Sequence, residues 1–264
     1  MPSDWRETAR RLGVRPLSAR SLVLSTLLGS HPPRLPGPAL VAVGALFELG
    51  PGTMRTAVSR MVADGELVAV GGGQFELGTG LLDRQQRLDV GREGHHDAWI
   101  GEWWTAIVLA ERRGLAERRA FRAEMAKRLM GELRPDVWLR PANVARPVVN
   151  GEVLVVRGVI DRDPIELANT LWDLDELSAT ARLLSAEADA VTVDLTADDA
   201  AVLPRSFIVS VAIARFLAVE PRLPSEIVGV DWAVEQLRDQ YRDLERRHGR
   251  SLRGFIGDAA DRVG

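Results

Sequence analysis

The 264-residue sequence contains no cysteine, which excludes disulfides, thiolate zinc sites and cysteine nucleophiles. Lysine is almost missing: Lys127 stands alone among 34 basic residues, so positive charge here means guanidinium. That bias points to a GC-rich genome rather than to a function. The amino-terminal stretch MPSDWRETARRLGVRPLSARS lacks the apolar centre of a signal peptide, and no apolar run approaches the length of a bilayer crossing. The expected location is therefore cytoplasmic. No G-x-S-x-G elbow, G-x-G-x-x-G fingerprint or G-x-x-x-x-G-K-[ST] phosphate loop occurs, and no cofactor is expected.

What is present suits ordinary globular domains, with 46% hydrophobic and 27% charged residues, enough for a packed core. A net charge of −3 argues against a generally basic nucleic-acid binder, but its distribution is lopsided. Residues 1–60 carry eight arginines against three acids, a net of +5, whereas residues 161–201 carry eleven acids against two arginines, a net of −9. A basic functional end and an acidic remainder with a different task follow from this asymmetry.

Within the basic end, Ser18 is placed to cap a helix that Gly29 stops. HPPRLPGP reads as a connector and Pro38–Leu49 as a second, buried helix. After the turn at Pro51-Gly52, Thr53 is the expected cap of a third helix running to about Asp64, with Gly65 as its stop. ELVAV and QFEL, separated by Gly71-Gly72-Gly73, predict a β-hairpin. Three helices and a hairpin in this order describe a winged helix-turn-helix.

The third helix carries the candidate site. Met54, Ala57, Val58, Met61 and Val62 recur at helical spacing and would be buried, which leaves Arg55, Thr56, Ser59 and Arg60 outward. Hydroxyls and guanidiniums can meet base edges and phosphates in a major groove. A merely solvated helix would carry the same residues; the local charge and the hairpin that follows favour DNA. Arg20, near the start of the first helix, is expected to touch a phosphate. The hairpin offers no arginine or lysine between Glu66 and Leu82, only backbone N–H groups and the amide of Gln74. As a wing it is the weaker half, and a hairpin that merely closes the core is the alternative.

Leu81–His96 is polar and reads as a linker. WWTAIVLA then predicts a buried strand, LAERRAFRAEMAKRLMGEL a helix, DVWLRP and EVLVVRGVI two strands, and the segment after Pro164 one long helix. Strand, helix, strand, strand, helix is the order of a ferredoxin-like unit whose last strand is not evident. Helices are expected from about Asp198 to Val219 and from Asp231 to Arg247. The adjacent His95 and His96 before Asp97 would point apart and read as linker rather than zinc site, with His31 and His248 isolated. WDLDEL reads as a solvated helix face rather than a catalytic carboxylate pair. The seven tryptophans read as core and interface anchors, with Trp99, Trp103 and Trp104 the alternatives for a small-molecule pocket.

Six blocks in order, ARSLVLSTLLGS, MRTAVSRMVADGEL, WIGEWWTAIV, DVWLRPANV, LANTLWDLDELSATARLL and PRLPSEIVGVDW, resemble those of the PaaX family of bacterial repressors of phenylacetic acid degradation. The resemblance implies an α+β protein with an N-terminal winged helix-turn-helix, a central ferredoxin-like domain and a C-terminal helical domain. It implies dimers that leave palindromic operator DNA when an aryl-CoA thioester such as phenylacetyl-CoA binds. The apolar LPRSFIVSVAIARFLAVEP and the short tail depart from the family and leave another acyl-CoA or small effector open. The central domain is similar to small CRISPR-associated nucleases with an aspartate at the end of the first strand, and TAIVLAERR has none.

The expected organisation is therefore 1–88 as the DNA-binding domain, 97–175 as the ferredoxin-like domain and 176–264 as a helical effector and dimerisation domain. The expected function is a homodimeric transcription regulator, a repressor, that binds double-stranded operator DNA through Arg20, Thr53, Arg55, Thr56, Ser59, Arg60 and Gln74. An effector in the acidic two-thirds, with no residue assigned to its site, would shift the relative placement of the two DNA-binding domains. It is not expected to be an enzyme, to bind a metal or to touch a membrane. The rival readings are a metal-dependent nuclease and a winged-helix module that binds protein.

Overall fold

The computed structural model describes residues 5–94, 97–109, 114–149, 151–195 and 200–261, with side chains to 257. In chain order the first elements are α1 (Trp5–Arg11), α2 (Ala19–Leu28), β1 (Arg34–Pro36), α3 (Gly37–Leu46), α4 (Pro51–Ala63), β2 (Leu67–Ala69), β3 (Gln74–Leu77) and α5 (Thr79–Glu93). The middle of the chain supplies β4 (Glu102–Val108), α6 (Leu115–Lys127), β5 (Gly131–Arg134), β6 (Val137–Pro141), β7 (Val153–Val159) and α7 (Pro164–Leu171). Then come α8 (Leu174–Leu195), a 3-10 turn at Ala200–Val202, α9 (Leu203–Leu217), α10 (Ser225–Val228) and α11 (Ala233–Asp261). The protein is thus mixed α+β, mainly helical, with two small antiparallel sheets. Its contacts gather into two compact units, one of residues 1–92, 184–218 and 239–264 and the other of 93–183 and 219–238.

In the first unit, α2 starts where a capping box closes it: the Ser21 N–H donates to the Ser18 hydroxyl oxygen, and the Ser18 N–H donates to the Ser21 hydroxyl. Leu22, Val23 and Leu27 of α2, Leu40 and Val43 of α3, and Met54, Val58 and Met61 of α4 are buried together. Removing apolar side chains of this size from water contributes about 1.5–3 kcal/mol each, which holds three short helices that would be marginal alone. The connector HPPRLPGP contains a strand that the sequence does not advertise. β1 joins β3 at one edge (Leu35 opposite Phe75) while β2 joins it at the other (Val68 opposite Glu76).

The expected linker is a helix. α5 lacks an apolar stripe, so periodicity does not reveal it, and it is anchored by polar and small residues instead. Buried Gln85 donates its amide to the Ser30 carbonyl at 3.2 Å. Gly91 lies against the backbone of Leu217, where an added Cβ would sit 2.5 Å from the carbonyl oxygen. His95 and His96 lie outside the described residues.

The stretch Ala200–Leu217 is long and apolar enough to cross a membrane by length and composition, contrary to the sequence expectation. Half of it is buried inside the fold, where Ile208, Val209, Ile213 and Leu217 are inaccessible.

The second unit is built on a four-stranded sheet in the order β5-β6-β4-β7, all neighbours antiparallel. The strand missing from the sequence reading is β5. α6 ends at Lys127 rather than Leu133, because Leu129 turns to φ +60 and Gly131 slots against Leu171 and Trp172, where a Cβ would meet a side-chain atom at 2.7 Å. Met125, Leu129 and Leu133 keep a helical spacing across that break, which is why the pattern misleads. Alternation along β4 then serves two cores. Trp103 packs with Leu139, Leu167 and Ile227 on one face, and Ala106 packs with Met125 and Trp138 on the other. α6 therefore covers one face while α7 and α10 cover the other, and among the described residues no helix joins β6 to β7.

The helix expected after Pro164 is two helices. Trp172 is extended (φ −141°, ψ 148°), and the Asp173 carboxylate accepts the Glu176 N–H at 2.8 Å to start α8. The acids of WDLDEL thus begin with a helix cap rather than a catalytic pair.

In the same unit Arg238, wholly buried, pairs with the equally buried Glu220, which also accepts the Arg222 backbone N–H at 2.8 Å. Burial pushes the Glu220 carboxyl up, against the pull of Arg238. Removing one partner leaves the other charge buried without compensation. Arg238→Ala is therefore expected to lower stability by about 3–5 kcal/mol, read from the urea midpoint; an unchanged midpoint would contradict this role.

Candidate nucleic-acid interface

α4 starts two residues earlier than Thr53. Pro51 occupies the first turn, where its fixed φ suits a helix and its missing N–H goes unneeded, and Gly50 precedes it in extended conformation (φ −65°, ψ 152°). Thr53 is consequently an exposed residue of the first turn rather than the cap. The other end is as expected: Asp64 closes the helix and Gly65 takes φ +71, which a residue with a Cβ resists.

The helix is held by its inner face. Met54, Val58 and Met61 are buried, and Met54 fills the groove left by Gly44 of α3. A Cβ on Gly44 would lie 2.4 Å from Met54 Cγ, so the two helices approach this closely only because position 44 has no side chain. The outer face then presents Arg55, Thr56, Ser59 and Arg60, all exposed. Residues four apart sit one above the other, which stacks Arg55 over Ser59 and Thr56 over Arg60 in two short columns.

Charge pairing separates these arginines from most of the others nearby. Arg6 pairs with Glu48, Arg11 with Glu187, Arg20 with Glu66 and Arg34 with Glu76. Arg10, Arg15, Arg55 and Arg60 have no ion-pair or hydrogen-bond partner among the described residues. Two of the four lie on the outer face of α4. An unpaired, hydrated guanidinium can take up a phosphate or a guanine edge without first giving up a carboxylate.

The remaining expected contacts are less open. Arg20 Nε donates to Glu66 Oε2 at 2.8 Å, and this hydrogen bond is the main cause that raises the Arg20 pKa and lowers that of Glu66. Any phosphate contact by Arg20 has to compete with Glu66. Gln74 is half-buried and starts β3, its N–H donating to the Gly71 carbonyl at 3.1 Å. Gly71, Gly72 and Gly73 all have positive φ (86°, 57° and 70°), so the glycine run is what lets the hairpin turn. The hairpin's sheet does gain one arginine that sequence reasoning missed, because β1 brings Arg34 opposite Glu76. No local signal marks it, since β1 follows two prolines.

Among the described residues no group of three or more His, Asp or Glu side chains could hold a metal ion. β4 ends at Val108, and residues 110–113 are outside the described residues.

The profile of the family described as PaaX-like protein matches residues 18–77, from the cap of α2 to the end of β3. The solved structure of an uncharacterized protein from Mycobacterium tuberculosis is 32% identical and superposes with a TM-score of 0.74, covering 91% of this chain and 99% of that chain. No curated protein matches the sequence. The chain belongs to the PaaX-like family. Membership in that family makes it a transcription regulator in the general sense.

Gly44→Ala is expected to cost about 1–3 kcal/mol through overpacking against Met54. Arg55→Ala with Arg60→Ala should change stability by no more than about 0.5 kcal/mol, since neither side chain has a partner to lose. Thermal unfolding of the variants distinguishes the two cases; equal effects would contradict the assignment of inner and outer faces.

Proposed function

We propose that the protein is a sequence-specific DNA-binding transcription regulator that acts as a repressor. The observation that carries this reading is the pair of exposed arginines, Arg55 and Arg60, without a partner among the described residues, on a helix fixed from its inner side by Met54. They lie in the part of the chain with a net charge of +5 and within the family-matched segment. In this reading residues 1–88 form a winged helix-turn-helix whose recognition helix is α4. Thr53, Arg55, Thr56, Ser59 and Arg60 meet DNA, and Gln74 and the glycine turn form a wing that offers the Gln74 amide and backbone N–H groups. Arg20 joins a phosphate by leaving Glu66.

The remaining parts of the reading follow from the family. The protein acts in the cytoplasm as a homodimer on a palindromic operator, with half-sites about one helical turn, or a multiple of it, apart. Residues 97–175 serve as a ferredoxin-like domain, supported by the strand order and directions of the second sheet. Residues 176–264 serve effector binding and dimerisation, and the effector is phenylacetyl-CoA or another acyl-CoA. An effector can release DNA only by binding one arrangement of the protein more tightly than the other.

The test is fluorescence anisotropy with duplexes selected for binding from a random pool. Wild-type affinity should fall steeply with salt, as expected when several phosphates are neutralised. Arg55→Ala with Arg60→Ala should weaken binding by at least about thirtyfold, at about 1–3 kcal/mol per lost contact, with the dimer and its unfolding temperature unchanged. Wild-type affinity in the double variant would overturn the assignment, and no duplex retention at low salt would favour a protein partner.

A further inference from the structure

The first unit contains a half-open cavity of about 310 Å³, at the small end of the roughly 300–1,000 Å³ typical of ligand sites. Its apolar wall comes from Leu28 at the end of α2, Leu88 of α5, Phe207 and Val211 of α9, and Leu252 and Ile256 of α11. Three guanidiniums from separate helices, Arg84, Arg215 and Arg253, also line it, and none has an ion-pair partner among the described residues. The carboxylates lining it are already engaged: Arg92 pairs with both Asp89 and Glu245. The Ser210 hydroxyl oxygen is buried at this wall with no hydrogen-bond partner. His248, 2.8 Å from the Ser206 hydroxyl, adds no charge at neutral pH, because burial lowers its pKa to about 4.

The lining therefore combines an apolar hollow, an excess of positive charge and an unused hydroxyl. We propose that this cavity binds a small organic anion with an apolar body, held at its charged end by Arg84, Arg215 and Arg253. Partial burial, and after it the like charges of Arg84 and Arg15, lower the pKa of Arg215, and an anion would relieve the crowding of like charge. In a free acid the charged end is the carboxylate beside the apolar body; in an acyl-CoA thioester the acyl end that fills the hollow is uncharged and the anionic groups are the CoA phosphates. The site differs from the sequence expectation of an effector held by the acidic two-thirds: its walls include α2 and β1, and its charge is basic.

Its regulatory role rests on the DNA-binding reading. α2 ends in the cavity wall and packs against α4 within the same core, so a ligand that favours one position of α2 favours one position of α4. By reciprocity, DNA then changes ligand affinity by the same factor.

The cavity is tested without DNA by titrating the full-length protein with 8-anilinonaphthalene-1-sulfonate, an apolar sulfonate whose emission rises on burial. Saturable one-site binding is expected. Arg84→Gln with Arg215→Gln should weaken it at least tenfold, and Ala214→Phe, which fills the hollow, should abolish it. Both arginines are exposed and without an ion-pair partner among the described residues, so their variant remains informative should Ala214→Phe not fold. Displacement by phenylacetate or by phenylacetyl-CoA tells the free-acid source from the thioester. No binding by the wild type, or equal binding by the arginine variant, overturns the proposal. Because no DNA is present, either failure leaves the DNA reading standing, and loss of duplex binding leaves the cavity's result standing.

Discussion

The seating of Met54 against Gly44 is the constraint on which the DNA-facing surface depends. A Cβ at position 44 would lie 2.4 Å from Met54 Cγ, so the absence of one side chain sets the approach of α3 and α4. With Met54, Val58 and Met61 turned inward, helical geometry leaves Arg55, Thr56, Ser59 and Arg60 facing out. The polar face is thus a consequence of packing, and what makes it suited to DNA is charge. Four of the eight arginines in residues 1–60 are paired with glutamates, while Arg55 and Arg60 are left to solvent.

The same contrast between occupied and unoccupied cations runs through the rest of the protein. Arg238 and Glu220 satisfy each other in the interior of the second unit, and Arg92 holds Asp89 and Glu245. Arg84, Arg215 and Arg253 have no such partner among the described residues. In a chain of net charge −3, unmatched guanidiniums are where anions are to be sought, and two groups of them lie in the first unit: one outward on α4, one around the cavity. That the cavity wall includes the end of α2 offers a direct route between the two.

Much of the first unit was legible because its signals are local. Ser18 caps α2 through its own side chain, Gly65 ends α4 at positive φ, and the glycine run turns the hairpin. Thr53 looked like a cap because threonine often is one, but Pro51 had already begun the helix. What stayed hidden depends on distant partners. α5 has no apolar stripe, since Gln85 and Gly91 fix it through Ser30 and Leu217. β5 was hidden inside a helical pattern that Leu129 breaks, and β1 follows two prolines. The cavity could not be read at all, because Arg84, Arg215 and Arg253 are joined only by folding.

The central claim is that α4 meets DNA through its outer face. Its most direct test is photocrosslinking from p-benzoylphenylalanine placed at Ser59, with a duplex selected for binding and a control at Asp175, exposed in the acid-rich segment. The account predicts a salt-sensitive crosslink from position 59 and none from position 175. A crosslink from 175 with none from 59 would contradict it.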